Sequence, residues 1–508
     1  MTVAYLLGID LGTSSLKALL VTETGKVVAE SSRKYQFDIP ISGYAEQWPQ
    51  VWWQACREAC SEAMAGSGLP KTAVTAIGIS GQMHGTVALD AAYEPVTPAI
   101  LHCDARTGVQ NARIQEKLGA ERIAELMMNP IYSGFMLPSL LWLRDNEPKR
   151  FERIRHVMLP KDYLRLRMTG EAASEYSDAS ATLLFDMKNG CWSEEILTAF
   201  GLPKEILPEI HETTEIAGQL TDSAAQEMGL APGTPVVYGG GDQIMQAIGN
   251  GVIGEGMATI NIGSSAQICF PVHRLIQNPD NNSNFFCGYK RNHWIAMAAT
   301  INGGLCFNWI AGLLKEPDWG VLNREIAKLR PGCDGLVFLP YLCGERSPHM
   351  DPDLSGSFVG LSCATDRYQL ARAVMEGVTF ALYECYGLCA GMGLDAERLV
   401  ASGGGARSPQ WLQIQADVFG KQLLRTEGEE QAGIGAAITA GVGAGVYQDV
   451  AEGCRLAVRY RDVVTEPDFK AHAVYQQYYQ VYRKLFQTQK EVIEELTRLG
   501  RSRQGSGT

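Results

Sequence analysis

Tyr5-Leu6-Leu7-Gly8-Ile9-Asp10-Leu11-Gly12-Thr13-Ser14-Ser15-Leu16-Lys17-Ala18-Leu19-Leu20-Val21 opens the chain with two apolar runs around a polar, glycine-containing turn. The runs read as strands Tyr5 to Ile9 and Leu16 to Val21, with Asp10 to Ser15 as the turn. Thr24-Gly25-Lys26 then turns the chain into a third strand at Val27 to Glu30. The same order returns 251 positions on, in Thr259-Ile260-Asn261-Ile262-Gly263-Ser264-Ser265-Ala266-Gln267-Ile268. Strand, one Gly, two small hydroxyl residues and strand again make an internal repeat, and repeats set architecture. Two similarly built domains follow, with a boundary near Gly251 to Gly256; a chance likeness of short Gly-Ser turns is the bland alternative.

Between these openings, strand-like runs lead into glycine turns and then helices. Val236-Val237-Tyr238 precedes Gly239-Gly240-Gly241-Asp242-Gln243, and Leu399-Val400-Ala401 precedes Ser402-Gly403-Gly404-Gly405, with a helix from Trp411 to Val418. This is α/β grammar. His472 to Leu499 reads as one or two long helices, and 501–508 as a tail.

Composition narrows the classes. With 508 residues, 46% hydrophobic and 20% charged, the chain can build large cores, which excludes disordered, collagen-like and disulfide-scaffold proteins. Its 54 glycines exceed the usual share, and such residues suit turns that bring backbone close to a ligand. A net charge of −12 argues against nucleic acid as partner. The 13 cysteines are odd in number and lack CxxC spacing, so free thiols in a reducing cytoplasmic setting are expected. The N-terminus lacks a basic leader pattern, and the longest uncharged stretch, Ala432 to Tyr447, is mostly Ala and Gly, too weakly apolar for a membrane span.

Two nucleotide signatures fail: no GxxxxGK[ST] occurs, and neither glycine triplet has the spacing of a dinucleotide fingerprint. The Asp10 hairpin remains. Gly12, with the Thr13 and Ser14 hydroxyls, can approach phosphate oxygens closely, and Asp10 at a strand end could hold hydrated Mg²⁺. Lys17 could add charge or simply be solvated.

These residues, with Ser80-Gly81-Gln82-Met83-His84-Gly85, Leu159-Pro160-Lys161-Asp162-Tyr163-Leu164, Gly240-Gly241-Asp242-Gln243, Phe338-Leu339-Pro340-Tyr341, Gly344-Glu345-Arg346-Ser347-Pro348-His349 and Ser402-Gly403-Gly404-Gly405-Ala406, resemble the FGGY family of carbohydrate kinases over nearly the whole chain. The likeness is greatest to those members that phosphorylate D-xylulose. It implies an α/β fold with two ribonuclease-H-like domains, as in actin and the sugar kinases, around a central cleft. The first domain, 1–250, would carry the phosphate hairpin, sugar site and catalytic Asp. The second, 251–500, would carry the other hairpin and the adenosine site.

The resemblance also implies ATP and Mg²⁺ as cofactors and a small sugar as partner, with no membrane; a homodimer is allowed but not specified. Asp242 becomes the catalytic base, since a carboxylate can take the proton of a sugar hydroxyl as the phosphoryl group arrives. Capping the following helix is a second role open to Asp242. Asp10 is assigned to catalysis through Mg²⁺. Met83, His84, His102, Asp104 and Gln243 are assigned to the sugar, with a structural ion pair between Asp104 and Arg106 equally compatible. Gly12, Thr13, Ser14, Gly263 and Ser264 are assigned to the phosphates. Gly404, Gly405 and Ser408 are placed beside the adenosine, with Gly304 and Asn308 on its opposite wall. Two positions depart from the family pattern: His102 replaces a Trp that lines the pocket, and Ser139 replaces a Lys before Leu140-Leu141-Trp142. Both bear on which sugar is accepted, so another ketopentose, a polyol or a sugar acid is the alternative substrate. A catalytically silent sugar sensor is the rival of another class.

Overall fold

The computed structural model describes residues 3–315 and 318–504. The chain divides into two compact units. The first comprises Met1–Ile253, Pro271–Ile295 and Glu430–Arg459, and the second Gly254–Phe270, Ala296–Glu429 and Tyr460–Thr508.

In the first unit, strands β1 (Tyr5–Leu11), β2 (Ser15–Thr22), β3 (Val27–Lys34), β4 (Val74–Gly81), β5 (Ile216–Gln219) and β6 (Pro235–Val237) form a sheet in the order β5-β6-β4-β1-β2-β3. β1 is antiparallel to β2 and parallel to β4. The opening strands are longer than the apolar runs suggest: Asp10 pairs with Lys17 on one side and Ser80 on the other, and Leu11 with Leu16. Backbone pairing on both sides carries β1 past its last apolar run, and the turn shrinks to Gly12–Ser14.

Side-chain alternation explains how β1 is buried on both faces. Leu7, Ile9 and Leu11 pack in a core shared with Trp52, Cys56 and Ala59 of the helix Pro49–Ser67. Leu6 packs on the other side with Ala437, Ala440 and Tyr447. The helix there, Gln431–Gly443, is the uncharged Ala/Gly stretch of the sequence. It lies almost in contact with the sheet backbone: a Cβ on Gly8 would sit 2.0 Å from the Gly433 carbonyl oxygen, and one on Gly78 would sit 1.8 Å from that of Ala436. Small residues on both partners allow this approach, and a segment late in the chain thereby completes the first unit.

The second unit repeats the arrangement. Its strands β7 (Gly256–Ile262), β8 (Ala266–Val272), β9 (Trp294–Thr300), β10 (Ala396–Ser402) and β11 (Gln422–Leu424) run in the order β9-β8-β7-β10-β11. β7 is antiparallel to β8 and parallel to β10, and Asn261 stands opposite Ser402 as Asp10 does opposite Ser80. The helix expected from Trp411 is Pro409–Phe419, begun by Ser408, whose Oγ accepts from the Trp411 N–H at 3.2 Å. The C-terminal stretch is one helix, Phe469–Gln504; the expected tail beyond residue 504 lies outside the described residues. No helix among the described residues is long and apolar enough to cross a membrane.

Candidate active site

β1 and β4 end side by side and deliver the first group of candidates. Asp10 lies on the same face of β1 as Gly8, by alternation. Its carboxylate accepts from the Ser80 hydroxyl at 2.8 Å. Burial pushes its pKa up, against lowering by Ser80 and by Lys17. Lys17 itself pairs with Glu430 at 2.5 Å, which competes with its use as a phosphate ligand. The turn is tied down by Gly12 N–H to the Ser15 carbonyl at 2.9 Å and the Tyr35 hydroxyl to the Gly12 carbonyl at 2.7 Å. The Thr13 side is half-buried and Ser14 exposed, so both hydroxyls remain open to a ligand.

Asp242 is the first residue of the helix Asp242–Gly249, following Gly240 and Gly241, which extend parallel to Ser80 and Gly81. Its pKa is raised to about 7, first by desolvation and then by the negative charge of Asp10. Gln243 opposes this rise with backbone and side-chain hydrogen bonds to the carboxylate. Gln243, expected at the sugar, thus meets Asp242 directly. The helix N-terminus favours the ionised form as well, yet burial and the neighbouring carboxylate prevail. The outcome is a carboxyl group that exchanges its proton near neutrality, as a general base requires.

Met83 stands two residues past the end of β4. A Cβ on Gly241 would stand 2.7 Å from Met83 Cγ and Sδ, so Gly241 is glycine because Met83 lies against it. His84 has φ 73°, in the left-handed region, a conformation that costs about 1–3 kcal/mol for such a residue. Its ring stacks on Phe135 at 3.9 Å and Nδ1 lies 2.9 Å from the Ala181 carbonyl oxygen. Between Met83 and the strand end, the Gln82 side chain is buried with no protein partner for its amide among the described residues. In the sequence, Gln82 stands out only as part of the motif Ser80-Gly81-Gln82-Met83-His84-Gly85.

Asp104 takes the structural alternative. Its buried carboxylate accepts from the Ala45 and Arg106 N–H groups at 2.7 and 2.8 Å and from the Arg106 guanidinium at 2.7 to 3.0 Å. Arg106 in turn pairs with Glu46 at 2.7 Å and lies over the rings of Tyr44 and Trp142. With no exposed surface on its side chain, Asp104 holds the loop that carries His102. His102 is half-buried, its carbonyl 2.6 Å from where a Cβ on Gly134 would be. Ser139 is fully buried in the helix Met136–Asn146, with no partner for its hydroxyl among the described residues.

The second unit gathers the remaining candidates around a cavity of about 520 Å³. Gly263, Ser264, Gly304, Asn308, Gly404, Gly405 and Ser408 all line it. Sequence reasoning missed its other walls, Phe307, Trp319, Asn323, Arg407 and Trp411. Phe307 lies 5.0 Å from Trp319 and 5.4 Å from Trp411, between ring centroids, an aromatic surface suited to a flat base. Ser408 donates to Asn323 Oδ1 at 2.7 Å. The glycines differ in purpose. A Cβ on Gly304 would be 2.5 Å from the Gly263 carbonyl oxygen, and one on Gly405 would be 2.7 Å from Ile262 Cβ, so these two permit close packing. A Cβ on Gly404 would meet nothing nearer than 3.8 Å, so its missing side chain leaves room in the cavity itself.

Among the described residues no cluster of three or more His, Cys, Asp or Glu is placed to hold a metal. Asp10 nonetheless fits Mg²⁺, which is commonly bound by one or two carboxylates, waters and substrate phosphates; its carboxylate at the strand end adds negative charge that raises Asp242, and such a site suits a divalent cation.

The descriptions of the N- and C-terminal domains of the FGGY family of carbohydrate kinases match residues 5–249 and 271–444. The chain is 36% identical over 494 residues to a xylulose kinase of Lactococcus lactis subsp. lactis, covering 97% of this chain and 98% of that one. It is 32% identical over 450 residues to a gluconokinase of Bacillus subtilis, covering 86% of each. The structure of a ligand-bound xylulose kinase from Lactobacillus acidophilus superposes with a TM-score of 0.91 at 25% identity, over 97% of this chain and all of that one.

Proposed function

Because the chain belongs to the FGGY family of carbohydrate kinases, we propose that it transfers the γ-phosphoryl group of ATP to D-xylulose, giving D-xylulose 5-phosphate. The observation that carries the chemistry is Asp242, a carboxyl group at a helix start with its pKa raised to about 7 beside Asp10. The substrate follows from full-length relatives that are xylulose kinases.

In this reading Asp242 takes the proton of the terminal sugar hydroxyl as the oxygen attacks phosphorus. Gln243 fixes its carboxylate, and Met83 and His84 present apolar edge and ring nitrogen to the sugar. Adenosine takes the cavity lined by Phe307, Trp319 and Trp411, with Gly404 leaving space for it. Gly12, Thr13, Ser14, Gly263 and Ser264 offer N–H and hydroxyl donors to phosphate oxygens. Through water, Asp10 would hold Mg²⁺, which when bound neutralises charge on the phosphates. Thirteen cysteines, none of them in a disulfide, suit the reducing cytoplasm in which we place this activity.

A second reading is a kinase of another ketopentose, a polyol or a sugar acid. The observation favouring it is Ser139, a buried hydroxyl without a partner where the family pattern has Lys, together with His102 and the gluconokinase likeness. ADP release with Mg²⁺ and ATP, measured against D-xylulose, other ketopentoses, polyols and gluconate with a sugar-free control, separates the two. Selective turnover of D-xylulose is expected. Preference for gluconate or a polyol would transfer the assignment to the second reading, and ATP binding without turnover of any sugar would favour a sensor.

A further inference from the structure

Lys161, Asp162, Arg165, Glu175 and Asp178 form a cluster of charged side chains with no exposed surface at all. Lys161 Nζ lies 2.7 Å from Asp162, 3.0 Å from Asp178 and 3.3 Å from Glu175, and Arg165 lies 2.7 Å from Asp162. Burial, with the charges of Glu175 and Asp162 added, pushes the Asp178 carboxyl well up against the opposing pull of Lys161. Such a cluster is weak evidence for stability, because desolvating the ions offsets their attraction. Its connections matter more.

Glu175 accepts the Ser177 hydroxyl at 2.8 Å and also the backbone N–H groups of Ser177 and Asp178 at 2.7 and 2.9 Å. With its proton directed to Glu175, the Ser177 oxygen offers a lone pair on its other side. The Gly241 N–H donates to it at 2.9 Å. Gly241 is the residue immediately before Asp242, and Met83 closes off its Cα side. Gly240 is confined as well, since a Cβ there would lie 3.2 Å from Ser177 Oγ and 2.5 Å from Met245 Cε.

We propose that Ser177 is a positioning residue for Asp242: oriented by Glu175 and the buried lysine, its hydroxyl holds the Gly241 amide and so aims the carboxylate that begins the next helix. The inference rests on Asp242 being the proton acceptor. Ala at 177 would leave a buried N–H without its acceptor and Glu175 without a donor, loosening the peptide that carries the base. Neither sugar nor nucleotide touches Ser177 in this account, so binding is largely spared while proton transfer suffers.

The test compares Ser177→Ala, Ser177→Thr and Asp242→Ala in steady-state kinetics with the full chain. Ser177→Ala is expected to lower kcat at least tenfold with both KM values within about twofold, and Ser177→Thr, which keeps the hydroxyl, to recover most of kcat. A kcat within twofold of the unmodified protein in Ser177→Ala, or no recovery in Ser177→Thr, overturns the proposal. Should Ser177→Ala fail to fold, hydrogen exchange at the Gly241 amide of the unmodified protein decides: strong protection supports the bond, and exchange at the rate of an open loop contradicts it. If Asp242→Ala retains turnover, the base assignment itself fails; if Asp242→Ala is inactive and Ser177→Ala is normal, only the positioning role fails.

Discussion

The two hairpins share a topology and differ in chemistry. β1–β2 leaves four residues, Gly12–Ser15, beyond its last pair, whereas β7–β8 leaves three, Gly263–Ser265. Each first strand has a parallel neighbour bearing a serine at the same level, Ser80 in one and Ser402 in the other. The residue facing that serine is Asp10 in the first unit and Asn261 in the second. Ser80 donates to Asp10, while Ser402 donates to the Ile260 carbonyl oxygen at 3.4 Å. The second hairpin is also occupied by its own fold: the Gly263 carbonyl accepts from Gly304 N–H at 2.7 Å and that of Ser264 from Leu305 N–H at 3.0 Å. One scaffold used twice thus carries a carboxylate in the first unit and an amide at the matching position in the second; under the proposed function the first supplies charge and proton transfer and the second holds the nucleotide.

The sharpest way to break this division is Asp242→Ala. Turnover should fall by about 10²–10⁴-fold, the usual share of general base catalysis, while sugar binding measured by calorimetry persists. Normal turnover would remove the first unit's claim to the chemistry. Asp10→Asn makes the first hairpin resemble the second at this position. It should lower kcat about tenfold or more through weaker hold on the metal-bound phosphates. It should also move the acid limb of activity below pH 7, because the Asp10 charge is one of the forces raising Asp242. An unmoved limb would mean the two carboxylates do not sense each other.

In the second unit, Gly404→Val should raise KM for ATP about tenfold with little change in thermal stability, since the added Cβ enters the cavity and meets nothing nearer than the Ile262 carbonyl oxygen at 3.8 Å, an ordinary contact. A large loss of stability with unchanged KM would show that Gly404 serves packing. The smallest effect expected is on stability. The folded-state pKa of Asp242 lies above its unfolded value, so stability falls as pH rises from about 4 to 7, where ionisation costs burial energy. Asp242→Asn should accordingly raise the melting temperature at pH 8 and leave it nearly unchanged at pH 4; the reverse order would refute the raised pKa.

Much of this was legible in the chain. The strand-turn-strand repeat at Asp10 and Gly263 pointed to two similar units because a period-two apolar pattern around a glycine turn is a local signal. Asp242, Met83 and the cavity glycines were assigned through the family resemblance that their motifs carry, the residues alone leaving Asp242 open between base and helix cap. What stayed hidden depends on distant contacts. Asp104 could not be told from a sugar ligand until its loop closed on Ala45 and Arg106. The helix Gln431–Gly443 showed only weak apolarity, and its place against Gly8 and Gly78 is a matter of backbone fit. Phe307, Trp319 and Trp411 come from three separate helices and share no spacing. Ser177 carries no motif, and only the fold sets its hydroxyl under Gly241.

The central claim is that Asp242 accepts the proton from a position tuned to neutrality. The pH dependence of kcat/KM for D-xylulose, with saturating Mg²⁺ and ATP, tests it most directly. The account predicts a rise of tenfold per pH unit on the acid side, levelling near pH 7. A profile flat from pH 5.5 to 8.5 would contradict it.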